Sequence, residues 1–217
     1  ATNLSKKGVA VDAVELDGSV VNIAREHFFF NDDGISVTIA DARIFVRNCP
    51  KLYDVVIVDL FRGDGIPSHV VSKEFFDDIK NCMSVGGSIV MNAFYGVDNL
   101  ASKKALFKTL TTTFKNIVVF EAPEKPEIKI NQGYILARNS DSKWQFNISV
   151  TGVPNNVIAK LKPVLQNWKP YSTGSEFLKG SKPITYNRNN WSQKAAPIDT
   201  IYRKYLSKAI PWQILLD

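Results

Sequence analysis

Three acidic positions follow three apolar runs in this chain. Glu15 and Asp17 close the run Val9 to Leu16 (VAVDAVEL), Asp41 follows Ile35 to Ala40 (ISVTIA), and Asp59 lies near the end of Tyr53 to Leu60 (YDVVIVDL). In open α/β sheets, ligands bind beyond the carboxyl ends of the strands, so residues placed there are the ones that can do chemistry. A carboxylate at the first position can accept both hydrogen bonds of a ribose diol. Asp41, beside a helix N-terminus, can accept from an adenine amino group while Ala42 offers backbone polarity. Each acid alone suits a helix cap or a turn equally well. Three in phase along one edge favour a nucleotide site, with all three carboxylates expected in one cleft.

Other reactive side chains are few. His69 sits at a loop-to-helix junction near the presumed pocket, where it is a candidate general base, although a cap or packing role is the plainer reading. His27 falls within an apolar helix face and reads as structural. No local Ser-His-Asp or Cys-His set appears, and two histidines without companions give no metal site. Cys49 and Cys82 lack metal-ligand spacing and read as reduced intracellular thiols.

The elements that must position these residues alternate between apolar runs and amphipathic segments. A helix is expected from Ser19 to about Phe30, with Val20, Ile23, Ala24, His27 and Phe28 at helical spacing. The turn Asn31 to Gly34 leads into the second strand, and a short helix over Ala42 to Asn48 precedes the third. The unalternating third run suits a parallel strand covered on both faces. After the loop FRGDGIPSH come a helix from Ser72 to Met83, a turn at Gly86-Gly87, the strand SIVMNAF and a helix from about Asn99 to Phe114. NIVVFEAP and QGYILARN are joined by a connection too short for a crossover helix, so they pair antiparallel. The fold class is therefore α/β: a Rossmann-like, doubly wound, mostly parallel sheet with an antiparallel closing pair. Beyond Asn139 the pattern changes. Trp144 to Val150 reads as a strand, Pro154 to Trp168 as an amphipathic helix, 169–197 as aperiodic, and Pro197 to about Ala209 as a last helix. Residues 1–139 form the nucleotide-binding domain and 140–217 an appendage packed on it.

The 217 residues suffice for one such domain, and the net charge of +6 comes from lysines and arginines scattered as singles and pairs. That pattern describes a solvated surface, and nucleic acid is not an expected partner. The apolar runs are of strand length, which gives no membrane span, and ATNLSKKG has no secretory character. The expected compartment is the cytoplasm.

VDAVELDGSVVNIAREHF, ISVTIADARIFV, YDVVIVDLF and VGGSIVMN, in this order, resemble the spermidine synthase family of aminopropyltransferases and the similar spermidine-synthase-like class I methyltransferases. The resemblance covers roughly residues 9–138. It implies that Glu15 binds the ribose hydroxyls of S-adenosylmethionine or its decarboxylated form, that Asp41 and Ala42 meet the adenine, and that Asp59 lies at the reacting end. It also implies a first strand and glycine-rich loop immediately before Ala1, so the chain reads as a fragment or a truncated remnant. Polyamine-forming members resemble one another in two acids three residues apart. Here Asp59 keeps the first position and Arg62 takes the second; Asp64, between Gly63 and Gly65, is the candidate replacement. A guanidinium stays protonated and cannot serve as a base, so efficient conversion of putrescine to spermidine is not expected.

The leading expectation is a transferase moving an aminopropyl or methyl group to a small-molecule acceptor, with an amine the family's choice, no metal, no membrane partner and a homodimer allowed for. Two readings compete with it. One is a non-catalytic remnant of the fold acting as a protein-interaction module. The other is an NAD-dependent oxidoreductase, against which the antiparallel closing pair argues.

Overall fold

The computed structural model describes residues 1–61, 65–97, 100–122, 130–146 and 155–209. The chain divides into two compact units, Ala1–Lys51 and Leu52–Asp217.

The first unit contains α1 (Thr2–Ser5), β1 (Val11–Glu15), α2 (Gly18–His27), β2 (Ile35–Ile39) and α3 (Ala42–Arg47). β1 and β2 pair in parallel, from Val11 opposite Ile35 to Glu15 opposite Ile39. α2 begins where Asp17 accepts a hydrogen bond from the Ser19 amide at 2.8 Å, a side-chain N-cap. Its apolar face is not covered as the periodicity suggests: Val21 is buried, but Val20, Ile23 and Phe28 are exposed. His27, expected within an apolar face, is also exposed, 3.7 Å from Glu26. A sheet of two strands offers too little surface to cover a helix face.

The second unit contains β3 (Tyr53–Val58), α4 (Lys73–Asn81), β4 (Met83–Gly96), α5 (Ala101–Thr113), β5 (Asn116–Glu121), β6 (Ile130–Arg138), α6 (Asn155–Gln166), β7 (Trp168–Tyr171) and α7 (Trp191–Ala209). Its sheet has the order β3-β4-β6-β5-β7. β3 and β4 are parallel; β6 runs antiparallel to β4 and also to β5, the latter as the short connection between them requires. Helices α4 and α5 supply the core with Phe75, Phe76, Ile79, Leu106, Phe107 and Leu110, all closed to solvent. Ser72 caps α4 through the Phe75 amide.

Several expectations are corrected here. Gly86-Gly87 is not a turn ahead of a strand but a bulge inside β4, whose register against β3 jumps from Tyr53–Met83 to Val55–Ser88. Gly86 has φ +83°, and a Cβ on Gly87 would lie 3.0–3.3 Å from the carbonyls of Ser84, Tyr53 and Asp54. Glycine is what lets the backbones approach this closely. β3 is an edge strand, and Val55 and Ile57 are exposed, so its continuous apolar run is not covered on both faces.

Trp168, expected to end a helix, and 169–171, expected to be aperiodic, form the edge strand β7 on β5. No strand forms at Trp144–Phe146, where the Trp144 and Phe146 rings stack at 5.7 Å; 147–150 lie outside the described residues. α7 starts at Trp191 rather than Pro197, because the buried Trp191 indole anchors its first turn on the Ile66 carbonyl. Neither Cys49 nor Cys82 is a free thiol, against the reduced state expected, since spacing along the chain does not reveal a sulfur's bonding in the folded protein. Among the described residues no helix is long and apolar enough to cross a membrane.

Candidate functional site

In the first unit Glu15 and Asp41 come to the same sheet edge. The Ala40 amide donates to the Glu15 carbonyl at 2.9 Å, so the chain leaves β2 beside the end of β1. Glu15 is half-buried, and its Oε1 accepts from the Asp17 amide at 3.1 Å. Asp41 is the N-cap of α3: its Oδ1 accepts from Arg43 N at 2.9 Å and Ile44 N at 3.2 Å, which fixes Ala42 as the first residue of that helix. A carboxylate in this post holds its rotamer and carries its charge at a helix start.

Asp59 stands in the second unit, one residue past β3 and exposed. Asn92 Nδ2 donates to Asp59 Oδ1 at 3.0 Å, and Gln132 Nε2 in turn donates to Asn92 Oδ1 at 2.9 Å. This relay across β4 and β6 fixes the direction of a carboxylate that solvent would otherwise leave free to rotate. Neither amide was singled out from sequence, although Asn92 is the polar interruption in SIVMNAF and so carried a readable signal. Arg62 and Asp64 lie outside the described residues. His69 is exposed in the short turn Ser68–Val70.

The C-terminal segment reaches the same strand ends. Asn189 Nδ2 donates to the Ser68 carbonyl at 2.7 Å and Trp191 Nε1 to the Ile66 carbonyl at 2.8 Å, bracing the loop that follows β3. Phe61 and Phe94 pack with ring centres 5.2 Å apart, and Phe94 stacks on Tyr202 of α7 at 5.4 Å.

A second polar cluster lies between the ends of β4 and β5 and is built for stability. Glu121, 5% exposed, is ion-paired with the buried Lys103, accepts from Tyr95 Oη at 2.9 Å and pairs with Lys169 at 3.0 Å. Lys103 Nζ also lies 4.6 Å from the Tyr95 ring centre and 5.6 Å from that of Phe177, a cation–π setting. Burial pushes the Glu121 carboxyl up, but the hydrogen bonds from Lys103 and Lys169 prevail and hold it below its ordinary range. Burial, with the Glu121 charge, pushes Tyr95 far up and Tyr171 to about 12. Gly133 makes room for the Tyr95 hydroxyl, which would lie 2.2 Å from any Cβ there. Among the described residues no group of three metal-ligating side chains converges.

The spermine/spermidine synthase domain model matches residues 6–133. The polyamine aminopropyltransferase of Vibrio vulnificus is 29% identical over 119 residues, covering 53% of this chain and 39% of that protein. The N-terminal histidine N-methyltransferase of Emericella nidulans is 29% identical over 130 residues, covering 58% of this chain and 23% of that protein. The chain thus spans well under half the length of these relatives. A probable spermidine synthase from Corynebacterium glutamicum superposes with a TM-score of 0.60 at 21% identity, over 80% of this chain and 62% of that one. That likeness fixes the fold as the Rossmann-like α/β type.

Proposed function

From membership in the spermine/spermidine synthase domain family, to which this chain belongs, we propose that it serves an aminopropyltransferase that moves an aminopropyl group from decarboxylated S-adenosylmethionine to a small amine. The observation that carries this reading is the aimed carboxylate of Asp59 at a strand end, held by Asn92 and Gln132. In the reaction the acceptor nitrogen forms a bond to the propyl carbon attached to sulfonium. The carbon–sulfur bond breaks, its electron pair stays on sulfur, and methylthioadenosine leaves as a neutral thioether. The acceptor ammonium must first give up a proton, and a carboxylate positioned beside it orients the nitrogen and receives that proton. Asp59 takes this post, with Asp64 as its proposed companion, while Glu15 holds the donor's ribose and Asp41 with Ala42 its adenine. Residues 1–139 act as the donor-binding domain, and 140–217 as an appendage that braces the acceptor loop.

A second reading, methyl transfer from S-adenosylmethionine itself, is supported by Arg62, which displaces an acid from the family's pair, and by the fungal N-methyltransferase relative. Incubation of the purified protein with each donor and a panel of amines, with products identified by mass, separates the two. We expect aminopropyl products with an acceptor other than putrescine. Putrescine turnover of about 1 s⁻¹ or faster, an ordinary enzyme rate, would overturn the acceptor part. Glu15→Ala is expected to weaken methylthioadenosine binding by about 1–3 kcal/mol in calorimetry, the usual loss on unpairing a polar partner; unchanged affinity removes the ribose assignment. A homodimer and a cytoplasmic location belong to the same reading. The location makes a demand of its own, since cytosolic thiols are kept reduced: alkylation under denaturing conditions, directly on lysis, must modify both Cys49 and the buried Cys82, and failure to modify either places the protein elsewhere.

A further inference from the structure

A cleft of about 450 Å³ opens at the β7 edge of the second unit's sheet, a size within the range of small-molecule sites. Its floor is Val118 of β5 and Pro170 of β7, which lie opposite each other across the two strands and so share one face. Trp168, on that same face of β7, and Trp144 wall it. Ring contacts brace both indoles. Phe146 stacks on Trp144 at 5.7 Å, meets Trp168 edge-on at 5.5 Å and rests against Phe120 of β5 at 4.9 Å. Trp168 is nonetheless left 40% exposed, an indole surface still open to a further ring. The segment carrying Trp144 pairs with no strand, yet its backbone is pinned. Asn116 Nδ2 donates to the Ser142 carbonyl at 2.5 Å, and Arg138 Nη2 donates to the carbonyls of Ser142 at 2.8 Å and Lys143 at 3.0 Å. An irregular wall held by side chains from two strands is preformed, and so is the cleft it bounds; a ligand entering it meets little ordering cost.

The rim fixes the charge of what the cleft takes. Among the described residues Lys115 and Lys143 line it and no carboxylate does. Lys115 pairs with Asp141 at 3.1 Å, but both groups are exposed, so the pair is held loosely. Lys143 is exposed and makes no ion pair among the described residues. Ser175 Oγ accepts from the Ser172 amide at 2.9 Å, which leaves the hydroxyl's own proton to donate. Indole faces by themselves attract cations, but on Trp144 the chain supplies that cation itself: the Arg138 guanidinium lies 4.0 Å from the ring centre. We infer that this cleft is a binding site for a planar aromatic anion, its ring packed against Trp144 and Trp168 and its carboxylate or phosphate group held by Lys115 and Lys143. The site stands apart from Asp59, since β7 lies four strand spacings from β3, about 19 Å. It is therefore independent of the transferase reading.

The test is calorimetric titration of the protein with 2-naphthoate and 2-naphthyl phosphate, each against the neutral 2-naphthalenemethanol and the cationic 2-naphthylmethylammonium. At least one of the two anions is expected to bind about ten-fold or more tightly than the neutral alcohol, the effect of one charge-assisted contact, and the ammonium more weakly than the alcohol. The tighter of the two anions names the acidic group. In the double variant Lys115→Gln, Lys143→Gln the ratio of anion to alcohol falls toward one while the melting temperature stays at its original value. Trp168→Ala weakens every probe about ten-fold, and Trp168→Phe, which keeps a ring, recovers most of that loss. Equal binding of anion and alcohol, tighter binding of the ammonium, or an affinity indifferent to Trp168→Ala overturns the site. Saturating methylthioadenosine leaves the affinity for the naphthyl anion as it was; competition between the two would put the ring at the donor's position and overturn the assignment to this cleft.

Discussion

The two units place similar apolar sequence in opposite surroundings. Val20, Ile23 and Phe28 of the first unit's α2 segment are exposed, and Phe29 is 95% exposed, whereas Phe75, Phe76 and Phe107 of the second unit's helices are fully enclosed. Both helices carry an apolar stripe, that of α4 the sharper of the two. What separates them is the area each sheet offers. β1 and β2 give α2 and α3 a two-stranded surface, while five strands, one of them 14 residues long, give α4, α5 and α7 somewhere to pack. Hydrophobic stabilisation scales with apolar area removed from water, so an amphipathic pattern is only an offer of burial that a neighbour must accept.

The comparison is most directly broken by substitutions of one type in both units. Phe107→Ala in the enclosed core should cost about 3–5 kcal/mol of unfolding free energy, through lost transfer and cavity terms. Ile23→Ala on exposed α2 should stay within about 0.5 kcal/mol, as surface substitutions usually do. Chemical denaturation of both variants checks this; equal losses would mean that α2 is covered.

Glu121→Gln should be of similar size, about 3–5 kcal/mol, because it leaves the buried Lys103 charge without its counterion. The same cluster sets an acid limit. Glu121 has a folded pKa below its ordinary 4.5, so its contribution is fully present above that value and is lost as pH falls through the folded pKa. Melting temperatures followed from pH 6 downward should show a decline below about pH 4.5 that is shallower in Glu121→Gln. Parallel curves would remove the cluster from the acid response.

A smaller effect, about 1 kcal/mol, is expected from Asp41→Ala, which removes the side-chain cap of α3. Should binding of methylthioadenosine fall by more than the loss of folding stability explains, the carboxylate also touches the ligand. The subtlest readout needs no substitution. Amide hydrogen exchange should be faster in β1 and β2 than in β4, β5 and β6, since local opening follows the density of buried contacts. Uniform protection would show that the contrast in side-chain exposure has no energetic counterpart.

Strand and helix positions were legible because they depend on local periodicity. The runs ending at Leu16, Ala40 and Leu60 contain β1, β2 and β3, the short connection after Glu121 does force antiparallel pairing, and Ser72 does cap a helix. Glu15, Asp41 and Asp59 could be chosen because strand ends are where an α/β sheet exposes ligand-binding residues. The partners that give these acids direction were less accessible. Asn92 and Gln132 lie 33 and 73 positions from Asp59 (92 − 59 and 132 − 59). They meet it only because β4 lies between β3 and β6, and sheet order is not written in any local pattern.

The same division holds at the C-terminus. The sequence by itself determined that a helix would form near Ala209, since its apolar positions repeat at 3.6 residues wherever the helix docks. It could not determine that Trp191 would start that helix by bonding the Ile66 carbonyl, or that Asp199 would face Phe94 and Gly65 rather than water. Nor could it assign Trp168–Tyr171 to the sheet, because an edge strand is stabilised by hydrogen bonds to β5 and needs no apolar alternation of its own. Local conformation follows from short-range sterics and amphipathic period. Which carboxylate is paired and which is aimed depends on contacts between residues far apart in the chain, and those exist only once the sheet has assembled.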